Sequence, residues 1–118
     1  MGTATALSEF SAAFGSGDVD AIMALMTDDV VFEATGPAPD GTRVEGATAV
    51  RRVWVELFGQ TRDASFAEEE AFAAGDRGVL RWRFTWSEAD GVVGHVRGVD
   101  VLRFREGLVA EKLSYVKG

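Results

Sequence analysis

An α+β fold, with three N-terminal helices packed on one face of a curved, mostly antiparallel sheet, is predicted by two features of the chain. Apolar residues recur at helical spacing up to Gly59 and at every second position after Asp63. Glycine-bearing turns at Gly75–Gly78, Asp90–Gly91 and Glu106–Gly107 then divide the second half into four strands joined as hairpins. At 118 residues and 47% hydrophobic content, residues 1–118 suit one domain with a sizeable core.

From Thr5 to Phe14, Leu7, Phe10, Ala13 and Phe14 fall on one helical face, and Gly15 and Gly17 end the helix. Asp18 is a natural N-cap for a second helix carrying Val19, Ile22, Met23, Leu25 and Met26, stopped by Thr27-Asp28-Asp29. Val30–Glu33 reads as a short strand, and Thr35–Thr42, which holds both prolines, reads as a loop long enough to act as a lid. A third helix runs from Gly46 to Gly59 with Val50, Val53, Trp54, Leu57 and Phe58. The four strands follow: Ser65–Ala73, Val79–Trp86, a stretch beginning at Gly94, and Leu108–Val116.

The stretch from Gly94 to Gly107 carries the main functional clue. Val96, Gly98, Asp100, Leu102 and Phe104 share one face, apolar except for Asp100. A carboxylate there must be hydrogen-bonded, protonated or facing a cavity, since bare burial costs several kcal/mol. If Glu106–Gly107 is a two-residue hairpin loop, Arg105 pairs with Leu108 and the register fixes every later neighbour: Leu102 faces Glu111, Asp100 faces Leu113 and Gly98 faces Tyr115. That register puts Glu111 and Tyr115 diagonal to Asp100 on a face to which the next strand adds Trp82, Phe84 and Trp86. The expected site is therefore a hydrophobic pocket walled by Trp54, Trp82, Phe84, Trp86, Leu102 and Leu113, with Asp100, Tyr115 and Glu111 as acid–base residues. Asp100 and Tyr115 bonded together in the core is the structural alternative.

The net charge of −7, with twelve basic residues scattered among nineteen acidic ones, argues against nucleic acid and anionic membrane surfaces as partners. No cysteine and one histidine leave no disulfide, thiolate or multi-histidine metal site, so no metal is expected. Glu68-Glu69-Glu70 alternates faces and cannot converge on a cation. No apolar run is long enough to span a bilayer, and the N-terminal residues lack signal-peptide character, so a cytoplasmic location is expected. His95 lies on the face opposite Asp100. Arg81, Arg83, Arg97, Val99, Val101 and Arg103 share that outer face, a composition suited to a homodimer interface.

The stretch FSAAFGSGDVDAIMALMTDDVVFE, the helix after VEG, and GVDVLRFREGLV resemble the nuclear transport factor 2-like superfamily, in particular its SnoaL-like polyketide cyclase and ketosteroid isomerase-like branch. The resemblance spans nearly the whole chain and implies a cone-shaped α+β barrel with an internal pocket, often dimeric through the outer sheet face. It also implies that Asp100 matches the pocket aspartate of isomerases and the acid–base aspartate of cyclases. The isomerase tyrosine falls at Phe10 and its general base at Ala34, with Glu33 one residue earlier pointing the other way; Gly98 replaces the arginine that epoxide hydrolases need two residues before the aspartate. Both of those mechanisms are disfavoured. The expected function is a small cofactor-independent cyclase- or isomerase-like enzyme moving a proton on an apolar carbonyl compound. A non-catalytic module binding a hydrophobic small molecule, or a dimerising scaffold, is the alternative.

Overall fold

Three helices cover one face of a six-stranded sheet in the computed structural model, which describes residues 2–60 and 62–118. The elements are α1 (Thr3–Ser16), α2 (Val19–Met23), β1 (Met26–Glu33), β2 (Arg43–Glu45), α3 (Ala47–Gln60), β3 (Arg62–Ala74), β4 (Arg77–Ser87), β5 (Val93–Arg105) and β6 (Leu108–Val116). The sheet order is β2-β1-β6-β5-β4-β3. All neighbours are antiparallel except β1 and β6, so the sheet is mixed, curved and unclosed.

Helix α1 buries Ala6, Leu7, Phe10 and Phe14 and ends at Gly17, whose φ of 72° suits glycine and whose N–H donates to the Phe14 carbonyl. Asp18 caps α2 by accepting from the Ala21 N–H. That helix is shorter than its apolar stripe suggests. Met26 instead begins β1 opposite Val109, and the Val109 N–H donates to the Leu25 carbonyl at 2.8 Å, so sheet pairing overrides local helical preference. Strand β2 has no counterpart in the sequence reading because three residues are too short to show alternation. Backbone bonds from Ala34 to Thr42 and from Thr42 to Gly36 hold loop 34–42 as an extension of the β1–β2 pair.

Two β-bulges decide which side chains face inward. In β3 Glu68, in phase with Phe66 and opposite Trp82, accepts from Ser11 Oγ at 2.7 Å; the register then shifts between Glu68 and Glu70, which moves Glu70 and Phe72 to the outer face, where Glu70 pairs with Arg81 while Glu69 pairs with Arg97. In β6 the expected pairs Arg105–Leu108 and Phe104–Val109 are present, but Arg103 then pairs with Glu111, leaving Ala110 as the extra residue. Val109 and Ala110 are consequently both buried. Every later position on β6 is reversed relative to unbroken alternation.

The core between helices and sheet contains Phe10, Ile22, Val30, Val50, Trp54 and Leu102, all almost without exposure. Each such side chain contributes roughly 1.5–3 kcal/mol of burial. Among the described residues, no helix is long and apolar enough to cross a membrane.

Candidate active site

The glycines of β5 set the floor of the site. Gly98 pairs with Trp82 and Gly94 with Trp86, so each indole lies over a residue with no side chain. A Cβ on Gly98 would fall 2.5 Å from Trp82 Cζ2 and 2.4 Å from the Tyr115 carbonyl oxygen; one on Gly94 would fall 2.6 Å from Trp86. Gly98 therefore makes room for Trp82, not for the Tyr115 ring. Trp82, so placed, donates its Nε1–H to Asp100 Oδ1 at 3.0 Å.

Asp100 is 2% exposed and is met by two further donors. Ser114 Oγ donates to Oδ1 at 2.6 Å, and Lys112 Nζ lies 3.0 Å from Oδ2. Lys112 Nζ also donates to Ser114 Oγ at 2.9 Å, closing a buried triangle of Asp100, Lys112 and Ser114. A carboxylate that only accepts, from an indole, a hydroxyl and an ammonium, has the bonding pattern of the ionised form. Of the three conditions set for a carboxylate on this face, Asp100 meets the first, being hydrogen-bonded and paired with an ammonium.

Lys112 is the residue missed in the sequence. Its ammonium stands 5.0 Å from the Phe14 ring centre, 4.8 Å from Phe32 and 5.2 Å from Trp54, distances at which the ring faces attract a cation. With three N–H groups and two acceptors among the described residues, Ser114 and Asp100, it retains one donor. A signal for it existed: a carboxylate on a buried face calls for a cation, and Lys112 is one residue from the position expected to face Asp100.

Above this triangle lies a cavity of about 450 Å³. Trp54, Trp82, Phe84 and Trp86 line it, joined by Phe14, Phe32 and Phe66, with Thr35, Lys112 and Ser114 as polar groups on its wall. The rings brace one another: Phe66 stacks on Phe84 at 4.3 Å, and Phe14 meets Trp54 edge-on at 5.1 Å. Asp100 does not line this cavity; Trp82, Lys112 and Ser114 both line it and contact the carboxylate, and of these Lys112 and Ser114 link it to the cavity's polar wall. Ala34, at the position matched to the isomerase base, does line it, and Phe10 is fully buried in the core.

The remaining expected site residues lie elsewhere. The Ala110 bulge turns Glu111, Leu113 and Tyr115 to the outer face, opposite Arg103, Val101 and Val99. Glu111 bridges Arg77 at 2.9 Å and Tyr115 is 53% exposed, so neither meets Asp100. Leu102 faces inward but is wholly within the core, away from the cavity. His95 is exposed on the outer face opposite Thr85. Among the described residues, no three acidic or imidazole side chains converge on a metal site.

Helices over an unclosed curved sheet, with a cavity between them, define the class of nuclear transport factor 2-like cones. The profile of the SnoaL-like domain family matches residues 7–112, and the chain belongs to that family. A nuclear transport factor 2-like protein of unknown function from Mesorhizobium loti is 38% identical, with a TM-score of 0.83, over 98% of this chain and 91% of that one. A Mycobacterium tuberculosis protein solved in complex with estradiol-17beta-hemisuccinate is 24% identical, with a TM-score of 0.76, over 98% and 94% of the two chains. A protein of ketosteroid isomerase-like fold from Catenulispora acidiphila, in complex with trimethylamine, is 14% identical, with a TM-score of 0.79, over 93% and 83%. The last two likenesses are of fold. No curated protein matches the chain.

Proposed function

We propose that the chain is a cofactor-independent enzyme that takes an apolar, ring-bearing carbonyl compound into the aromatic cavity and moves a proton next to the carbonyl. The observation that carries this reading is the buried triangle at the cavity wall, where Lys112 keeps one N–H free while Asp100 and Ser114 hold the ammonium in place. The ligand's carbonyl oxygen accepts that N–H. Loss of a proton from the adjacent carbon leaves an enolate oxygen facing a fixed ammonium in a low-dielectric pocket, where such stabilisation is strong. Ser114 Oγ, which accepts from Lys112 and donates to Asp100, has a second lone pair to take the proton as its own passes to Asp100 Oδ1. Reversal of the two transfers delivers the proton to another carbon. Lys112 and Ser114 are the catalytic residues of this scheme, and Asp100 acts through them. The ring-bearing estradiol derivative held by the Mycobacterium tuberculosis relative supports a ligand of this shape.

Deuterium incorporation next to the carbonyl of bicyclic ring ketones in D2O, followed by NMR, tests the scheme. Wild type should exceed buffer, and Lys112→Met should lose about 100-fold or more of that rate. Ring ketones that bind without any exchange would instead establish the non-catalytic binding module, the reading favoured by the absence of Asp100 from the cavity wall.

The outer sheet face supports assembly as a homodimer. Phe72, Val79, Val101 and Leu113 are successive cross-strand neighbours and form an apolar row over four strands. Arg81 and Arg97 on one side of the row are bridged to Glu70 and Glu69, and Arg77 and Arg103 on the other side to Glu111, so the row carries a rim of paired arginine and carboxylate on both sides.

A further inference from the structure

The parallel pairing of β1 with β6 ends at Glu33 and Leu113, after which β1 turns into loop 34–42 while β6 continues through Ser114, Tyr115 and Val116. A second cavity, of about 610 Å³, opens in the gap between them. Ala34, Thr35, Ser114 and Val116 line both this slot and the aromatic cavity, so the two abut at Ser114. Their walls differ in kind. The inner cavity is aromatic, whereas Glu33, Asp40, Arg43 and the half-exposed Tyr115 line the slot.

The charges in the slot are not equivalent. Arg43 is bridged to Glu33 at 3.0 Å and to Glu45 at 2.8 Å, so its guanidinium is already matched by two carboxylates. Asp40, on the exposed tip of the loop, makes no ion pair among the described residues, and the slot's three charged side chains sum to one negative charge. Loop 34–42 is held in position by the Gly41 N–H on the Pro37 carbonyl and by the Thr42 N–H on the Gly36 carbonyl, which keeps Asp40 over the opening.

We infer that the slot is a second subsite, and that the ligand is a two-part molecule: a ring system in the aromatic cavity carrying a cationic tail that leaves past Thr35 and Tyr115 toward Asp40. The inference rests on the aromatic cavity being a ligand site, as proposed above, and adds the charge class of the substrate. Tyr115 then offers its ring to the tail's cation, and an anionic tail is repelled by the unpaired Asp40.

Calorimetric titration with three probes tests this: 2-acetylnaphthalene, the same ring with an alkylammonium tail, and the same ring with an alkylcarboxylate tail. Wild type should bind the ammonium probe about two- to fivefold tighter than the carboxylate probe, within the range that exposed charge pairs produce. Asp40→Asn should reduce that ratio and Asp40→Lys reverse it, with the affinity for untailed 2-acetylnaphthalene unchanged in both. Added salt should shrink the preference. Equal binding of the two tailed probes, or a preference indifferent to residue 40, overturns the subsite while leaving the inner cavity standing. Failure of wild type to bind the untailed ring removes both readings together.

Discussion

Lys112 and Asp100 form an ion pair 3.0 Å long that is nearly sealed from solvent, with side chains 5% and 3% exposed. Two charges removed from water hold together only because each has further partners: Trp82 and Ser114 for the carboxylate, Ser114 and three aromatic rings for the ammonium. Losing either partner strands the other.

Lys112→Met should therefore lower stability by about 3–5 kcal/mol, because Asp100 is left buried and uncompensated. Adding Asp100→Leu should recover most of that loss. Urea denaturation of the two variants beside wild type measures both, and a near-neutral single variant would contradict a buried pair.

Gly98→Ala should cost about 1–3 kcal/mol or more, since its Cβ falls 2.4 Å from the Tyr115 carbonyl oxygen and 2.5 Å from the Trp82 ring. The backbone contact cannot be relieved by a side-chain rotation. A thermal melt equal to wild type would show that β5 and β6 are not so closely apposed at this point.

Asp29 sits beside Arg105, whose hydrogen bond lowers its carboxyl to about 2 from the ordinary 3.8. A depressed folded-state value means that the stabilisation is present above the unfolded value and is lost as pH falls from about 4 through about 2. Carboxyl NMR titration should place the Asp29 midpoint near 2, and Arg105→Gln should move it back toward 3.8.

Val101→Glu should weaken the dimer by placing a charge in the apolar row between Val79 and Leu113. Light scattering should find wild type dimeric and the variant shifted to monomer, with ring-ketone binding retained. A monomeric wild type at high micromolar concentration would remove the interface.

The helices, the three turns and the aromatic wall were legible in the chain because they rest on local signals: apolar spacing, capping residues and turn glycines. Trp82, Phe84 and Trp86 alternate along one strand, and Asp100 stands out as the polar residue on an apolar face; neither reading needs a partner strand. Membership of the SnoaL-like fold was likewise carried by the residues from Gly17 to Glu33 and by the last hairpin.

What surrounds Asp100 was decided by tertiary structure. The chain from Leu108 to Val116 is compatible with two registers: one turns Glu111, Leu113 and Tyr115 inward, the other Lys112 and Ser114. Hydrophobicity alone favours the first, because it buries a leucine and a tyrosine in place of a lysine and a serine. The bulge at Ala110 selects the second, and a bulge made by an ordinary residue carries no local signature comparable to a turn glycine. Asp100 and Lys112 satisfy each other only once β5 and β6 are paired in that register. Their pairing and the aromatic rings brought over the ammonium by α1, α3 and β1 are long-range interactions, invisible to any window along the chain.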